Sequence, residues 1–282
     1  MTSAAPAPDY LVLGHLTLDE TPAGSVLGGT AAYAALTAKA LGLQPAIVTA
    51  ADTRLDLSQL AGVPLHRFPS AQTTIFRNVY GEGGRRQQLR ARAAELTEAA
   101  VPPAWRAAAI VHLAPVAGEM PASMAEIFPG AEVVGLTPQG WLRAWDENGW
   151  ISFGSWQRAI PAMERADVVI LGTEDVDGRE SELEGMASAC RLLVVTEGPL
   201  GARVYWNGDV RRFAPPPTDP VDPTGAGDIF AAAFFIRYRQ TRDPWEAARF
   251  ANVLASASVA RTGLAGVPTP EQARQAAMVW TR

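Results

Sequence analysis

Cysteine is almost absent from this chain of 282 residues. Cys190 stands alone, which excludes a disulfide framework, and its neighbours Ala189, Leu192 and Leu193 predict a buried, inert thiol. Lysine is equally scarce: Lys39 is the only one, and it follows Ala38, so the Gly-Lys-Ser/Thr phosphate loop is excluded. The three histidines, His15, His66 and His112, lie too far apart to join each other or Cys190 in a zinc motif. Long runs of positive charge are missing too, and a net charge of −5 gives no electrostatic reason to expect a nucleic-acid partner. No apolar run approaches the ~20 residues that span a bilayer. The first nine residues lack the basic start and apolar stretch of a signal peptide, which predicts a cytoplasmic chain with no membrane partner. Only Gly14 follows the first apolar run, where a dinucleotide fingerprint needs Gly-x-Gly-x-x-Gly.

What is present is a core-forming α/β pattern. Hydrophobic residues make up 48% of the chain, enough for a large core. Tyr10–Gly14, Ala46–Ala50, Ile110–Leu113, Val133–Leu136, Val168–Leu171 and Leu192–Thr196 read as buried strands. Helical patterns at Thr30–Leu41, Pro121–Phe128 and Trp156–Ala166 alternate with them, which predicts a mainly parallel sheet with helices on both faces. Asn207-Gly208 between Ala202–Trp206 and Val210–Phe213 marks a hairpin. Helices are expected at Gly227–Gln240, Pro244–Arg261 and Pro270–Trp280. With neither repeat nor long linker, residues 1–282 are expected to form one domain. Residues 73–90 break the rhythm: Thr73–Tyr80 alternates like a strand, Gly81-Glu82-Gly83-Gly84 turns, and Arg85–Leu89 returns.

The most informative segment is Asp222-Pro223-Thr224-Gly225-Ala226-Gly227-Asp228, leading into the apolar run Ile229–Phe235. It places small residues at a loop-to-helix junction, where backbone N–H groups lack intrahelical partners and meet anions. Glycine lets a phosphate approach the main chain. A carboxylate beside that cradle repels phosphate, but it suits a general base that takes a proton from an attacking hydroxyl.

This heptapeptide resembles the signature of the ribokinase-like (PfkB) carbohydrate kinase family. The resemblance implies a three-layer α/β sandwich with a reduced β-hairpin lid at residues 73–90. It implies Asp228 as catalytic base, with the amides of Gly225, Ala226 and Gly227 as the anion hole. The acceptor would be a hydroxyl of a sugar, polyol or nucleoside. The donor would be ATP with Mg²⁺, and the need for a monovalent cation stays open, as does monomer against homodimer. Asp19 and Gly28-Gly29 resemble the family's acceptor-binding Asp and Gly-Gly, while Tyr33 stands where the family commonly has Asn. In the arginine-rich hairpin, Arg77 or Arg86 is a candidate to face the acceptor or the phosphates, and Thr73-Thr74-x-Phe76-Arg77, which resembles an acceptor-side strand, points to Arg77; solvated arginines are the competing reading. Thr137–Arg143 follows a strand and should face the ligand crevice, which brings in Gln139 for the acceptor and Arg143 for developing phosphoryl charge. With His112-Leu113-Ala114-Pro115 it resembles a compact subgroup that includes inositol kinases.

On the donor side, Thr196, Gly198 and Gly201 resemble the family's nucleotide loop, and Asn252 and Gly263 resemble its adenine wall. Glu174 and Asp175 fall where the family often has Asn-x-x-Glu near Mg²⁺; with the Asn absent, they are expected to act through metal-bound water. A nucleoside kinase shares every catalytic residue of this reading. A non-catalytic sensor on the same fold would be marked by a lost base or a broken anion hole, and this chain retains both.

Overall fold

Six of the sheet-forming segments are so apolar that both faces must be covered, and the fold does this with helices. A computed structural model describes residues 6–22, 24–81 and 84–278. In chain order it contains β1 (Tyr10–Leu13), β2 (Thr17–Thr21), β3 (Gly24–Gly28), α1 (Thr30–Ala40), β4 (Pro45–Ala51), β5 (Leu65–Pro69), β6 (Thr74–Gly81) and β7 (Gly84–Ala91). Then follow β8 (Ile110–Leu113), β9 (Val133–Leu136), α2 (Gln139–Leu142), β10 (Arg143–Trp145), β11 (Ile151–Phe153), α3 (Ile160–Arg165), β12 (Val168–Gly172) and α4 (Glu180–Ala189). The chain continues through β13 (Leu192–Thr196), β14 (Ala202–Trp206), β15 (Asp209–Phe213), α5 (Ala226–Thr241), α6 (Pro244–Ser258) and α7 (Pro270–Met278).

Among the described residues, nine strands form one sheet in the order β15-β14-β13-β12-β9-β8-β1-β4-β5. The seven from β13 to β5 pair in parallel. The hairpin β14–β15 is antiparallel, turning at Asn207 and Gly208, both with positive φ. One face, with Tyr10, Val12, Ile47 and Ile110, packs on α1, α5 and α6 through Phe230, Phe234, Ala247 and Phe250. The opposite face, with Leu11, Leu13, Val48 and Val111, packs on Met124, Phe128, Met163 and Leu183. Helix–sheet–helix layering of the predicted kind is the result. The helix expected over Pro121–Phe128 is a 3-10 stretch, Ala122–Ile127. α4 escaped the sequence pattern because its polar run buries only Leu183 and Met186.

The lid is larger than a hairpin. β3-β2-β6-β7 make a four-stranded sheet, with β2 joining β6 in parallel. The Glu82-Gly83 part of the expected turn lies outside the described residues. At its root, Glu119 is fully buried and its carboxylate accepts the amides of His15, Val116 and Ala117 at 2.7–3.0 Å. His15 is buried beside it: Nε2 meets Ala94 O at 2.9 Å and Nδ1 meets Thr74 Oγ1 at 2.7 Å. A carbonyl only accepts, so Nε2 carries the proton and Thr74 donates to Nδ1. Three chain segments entering or leaving the lid are thereby tied at one point.

Candidate active site

Parallel strands collect ligand-facing loops at their carboxyl ends, and here those loops close around one cavity. Its lining includes Thr17, Asp19, Gly29, Thr30, Tyr33, Phe76, Gln87, Thr137, Gln139, Arg143, Glu174, Asp175, Thr196, Gly225, Gly227 and Asp228. Its sides come from the lid, from the ends of β9, β12 and β13, and from the N-termini of α1 and α5.

α5 starts after Gly225, which sits at φ 80°. Glycine is required there twice over, since a Cβ would also lie 2.2 Å from Tyr33 Cε1. Tyr33 thus walls the loop, and burial, followed by the charges of Asp228, Asp19 and Asp222, pushes its phenol well up. Gly225 and Gly227 line the cavity, whereas Ala226 turns its N–H back to Pro223 O at 3.2 Å, so the expected three-amide cradle lacks that donor. Asp222 braces the loop: Oδ1 accepts the Thr224 amide and Oδ2 the Gly263 amide, each at 2.9 Å.

Asp228 stands on the first turn of α5, and Thr30, the first residue of α1, donates to its Oδ1 at 2.7 Å. Burial raises its carboxyl from 3.8 to about 6. The Thr30 bond and Arg143 act downward, while Asp175 and Asp19 act upward. A carboxylate of that pKa is an effective base near neutral pH.

Of the residues expected to meet the acceptor, Asp19 belongs to the lid and shares a sheet face with Phe76, its register partner. Gly28 lies under it, where a Cβ would come within 2.6 Å of Asp19 Oδ2. Gly28 therefore serves by leaving room for the carboxylate rather than by lining the cavity. Gly29, at φ 89°, opens α1 against His15 O and Thr17. Arg143 Nη1 donates to Val116 O at 2.8 Å, with its guanidinium 5.3 Å from the Phe76 ring. Gln139 donates to Asp175 Oδ1 at 3.1 Å, and Asp175 Oδ2 accepts the Gly172 amide at 2.8 Å.

Several expected site residues lie elsewhere. Arg77 is exposed on the lid face opposite Phe76, because adjacent strand residues point to opposite sides. Arg86 lies over the Trp150 ring at 4.3 Å. Of the five donor-side candidates only Thr196 lines the cavity. Gly198 is exposed at φ 56°, and Gly201 lets β15 pass, since a Cβ would lie 2.0 Å from Phe213 O. Asn252 is buried and spends its amide on Phe213 O at 2.8 Å. Gly263 spends its N–H on Asp222, as described. Thr17, Thr30 and Gln87 are lining residues that sequence reasoning missed; only Thr30, directly after Gly28-Gly29, carried a local signal.

Among the described residues, no group of three or more His, Cys, Asp or Glu side chains is placed to hold a metal ion. Glu174 is exposed at the cavity and Asp175 is hydrogen-bonded on both oxygens. This donor set fits a Mg²⁺ carried by phosphate oxygens and water, not one caged by protein.

A parallel sheet with a four-stranded lid, and a glycine-rich helix start set against an acid, define a ribokinase-fold protein. Residues 169–272 match the model of the pfkB family carbohydrate kinases. Over that segment, which holds the Gly225 loop and Asp228, the chain is similar to that family. It is 30% identical to inositol 3-kinase of Zea mays over 155 residues, covering 55% of this chain but only 40% of that enzyme. Cytidine kinase of Thermococcus kodakarensis is 28% identical over 267 residues, covering 86% of this chain and 92% of its own length. Among solved structures, a pyrophosphate-dependent kinase in the ribokinase family, complexed with a pyrophosphate analog and myo-inositol, superposes with a TM-score of 0.78 at 19% identity. That superposition covers 94% of this chain and 99% of the other.

Proposed function

We propose that the chain transfers a phosphoryl group from ATP to a hydroxyl of a sugar or polyol, and that an inositol is the acceptor to try first. Residues 1–282 act as one kinase domain with the four-stranded sheet as lid. Asp228 accepts the proton of the acceptor hydroxyl; the oxygen attacks the γ-phosphorus, and the bond to the bridging oxygen breaks to release ADP. The amides at Gly225 and Gly227, the α5 N-terminus and Arg143 stabilise the charge gathered on the transferring oxygens. Asp19 accepts hydrogen bonds from neighbouring hydroxyls of the acceptor, and Gln139 holds Asp175 in place. Glu174 and Asp175 would hold a Mg²⁺ through its waters, and the ion would screen the phosphate charge. The carrying observation is Asp228 itself: a carboxyl raised to about 6, at a helix N-terminus, in the same cavity as Asp19.

A second donor deserves a place in the assay. The Asn252 Nδ2 and the Gly263 N–H are engaged by Phe213 O and Asp222, so these two donors do not read a base, and a pyrophosphate donor needs no base contact. The test is ³¹P NMR of mixtures holding Mg²⁺ and either ATP or pyrophosphate, with inositols, pentoses, hexoses and nucleosides. A phosphomonoester of an inositol or sugar supports the reading, a nucleoside monophosphate moves it to the cytidine-kinase side, and no monoester from any pair refutes it.

A further inference from the structure

His112 is a buried histidine for which phosphoryl transfer as described above has no use. It lies on β8 in the middle of the parallel sheet, fully buried, with the Phe235 ring edge-on at 4.9 Å. Gly135, its register partner on β9, leaves space for that ring, since a Cβ there would come within 2.6 Å of it. Both imidazole nitrogens are engaged: Nδ1 meets the Tyr10 hydroxyl at 2.8 Å, and Nε2 meets Thr137 Oγ1 at 2.9 Å. Tyr10 is fully buried at the start of β1, whereas Thr137 follows the end of β9 and lines the cavity. A chain of hydrogen bonds therefore runs from the core to the site.

The direction of that chain follows from counting protons. Tyr10 has one O–H, and among the described residues its only hydrogen-bond partner is His112 Nδ1. If Nδ1 carried the imidazole proton, the tyrosine O–H would be left unpaired in the core, a penalty that skews the tautomer ratio by roughly tenfold or more. Tyr10 therefore donates to Nδ1, and Nε2–H donates to Thr137 Oγ1. Burial pushes the imidazole down to about 3, so the ring stays neutral at working pH. Thr137 Oγ1 accepts from the ring, and its own hydrogen has no acceptor among the described residues. It is left to point into the cavity.

We propose that Tyr10 and His112 are positioning residues that make the Thr137 hydroxyl an obligatory hydrogen-bond donor to a phosphoryl oxygen of the bound donor. The sheet order supports the phosphoryl oxygen as target. β9 stands between β1, whose exit leads to Asp19, and β12 and β13, whose exits carry Asp175 and Thr196. Thr137 thus sits where the two ligands would meet, in a cavity whose described lining holds four carboxylates, Asp19, Glu174, Asp175 and Asp228, and one guanidinium, Arg143. A phosphoryl group there needs every donor it can find.

The kinetic part rests on the proposed phosphotransfer, and the tautomer part does not. ¹⁵N-histidine NMR of the unliganded protein should show His112 with an unprotonated Nδ1 and a protonated Nε2. Its resonances are assigned by their response to Tyr10→Phe, which should also populate the Nδ1–H form. A wild-type Nδ1–H tautomer, or no change in Tyr10→Phe, overturns the relay whether or not the protein is active. In turnover, Thr137→Val should lower kcat by on the order of 10–100-fold with the acceptor KM little changed, and Tyr10→Phe should lower it in the same sense. Thr137→Ser, which keeps the hydroxyl, should restore most of it. Unchanged kcat in Thr137→Val, or an effect confined to the acceptor KM, overturns the phosphoryl assignment.

Discussion

Asp228→Asn should make the folded protein more stable while removing its chemistry. The carboxyl is raised from 3.8 to about 6 chiefly by burial, so ionising it in the folded state is unfavourable. A pKa raised on folding means that the folded state holds the proton more tightly than the unfolded chain. Below about 3.8 both states are protonated and the effect vanishes; as pH rises through about 6 the full penalty appears and stays. At ~1.4 kcal/mol per pKa unit the penalty is about 3 kcal/mol at neutral pH. Water reaching the cavity trims it to about 1–3 kcal/mol. Asparagine carries no charge, and its Oδ1 can accept the Thr30 hydrogen bond that Asp228 Oδ1 accepts now. Denaturant melts at pH 7.5 should therefore place the variant about 1–3 kcal/mol above the parent, or ~2–6 °C in Tm. Repeating them at pH 4.5 should shrink the gap. A variant less stable than the parent at pH 7.5, or a gap independent of pH, refutes the reasoning.

Two further outcomes follow from the same geometry. Gly28→Ala puts a Cβ within 2.6 Å of Asp19 Oδ2 and should displace that carboxylate, raising the acceptor KM by about tenfold with the donor KM unchanged; equal effects on both substrates contradict the acceptor role. Asn252→Ala leaves Phe213 O without its buried partner and should cost about 1–3 kcal/mol in urea melts with no change in donor KM; a raised donor KM at unchanged stability returns Asn252 to the nucleotide side.

The segments that were legible in the sequence are those where one local property decides the outcome. Ile110–Leu113, Val133–Leu136 and Leu192–Thr196 are short and wholly apolar, and they fall where the parallel sheet needs them. The heptapeptide around Gly225 could be read because a loop-to-helix junction with an acid on its first turn is a local design. The lid was half hidden: Thr17–Thr21 and Gly24–Gly28 carry few apolar residues, and they become strands only through pairing with one another and with β6. Arg77 was misread because its face depends on strand register, which composition does not carry. Asn252 and Gly263 were expected at an adenine wall; the fold gives the Asn252 amide to Phe213 O and the Gly263 N–H to Asp222, because the direction of an amide is set by its nearest unsatisfied partner. Thr30 and His112 act through residues far away in the chain, Asp228 and Thr137, and only the folded structure brings them together.

The central claim, that Asp228 is the base in a phosphoryl-transfer cavity, is tested most directly by single-turnover transfer rates across pH, in the parent and in Asp228→Asn, with the acceptor identified by ³¹P NMR. A base must be deprotonated to act, so the parent rate should rise with pH, pass its midpoint near 6 and level off. The variant should be slower by on the order of 10²–10⁴ and lack that limb. A variant that transfers at the parent rate, or that keeps the same limb, contradicts the account.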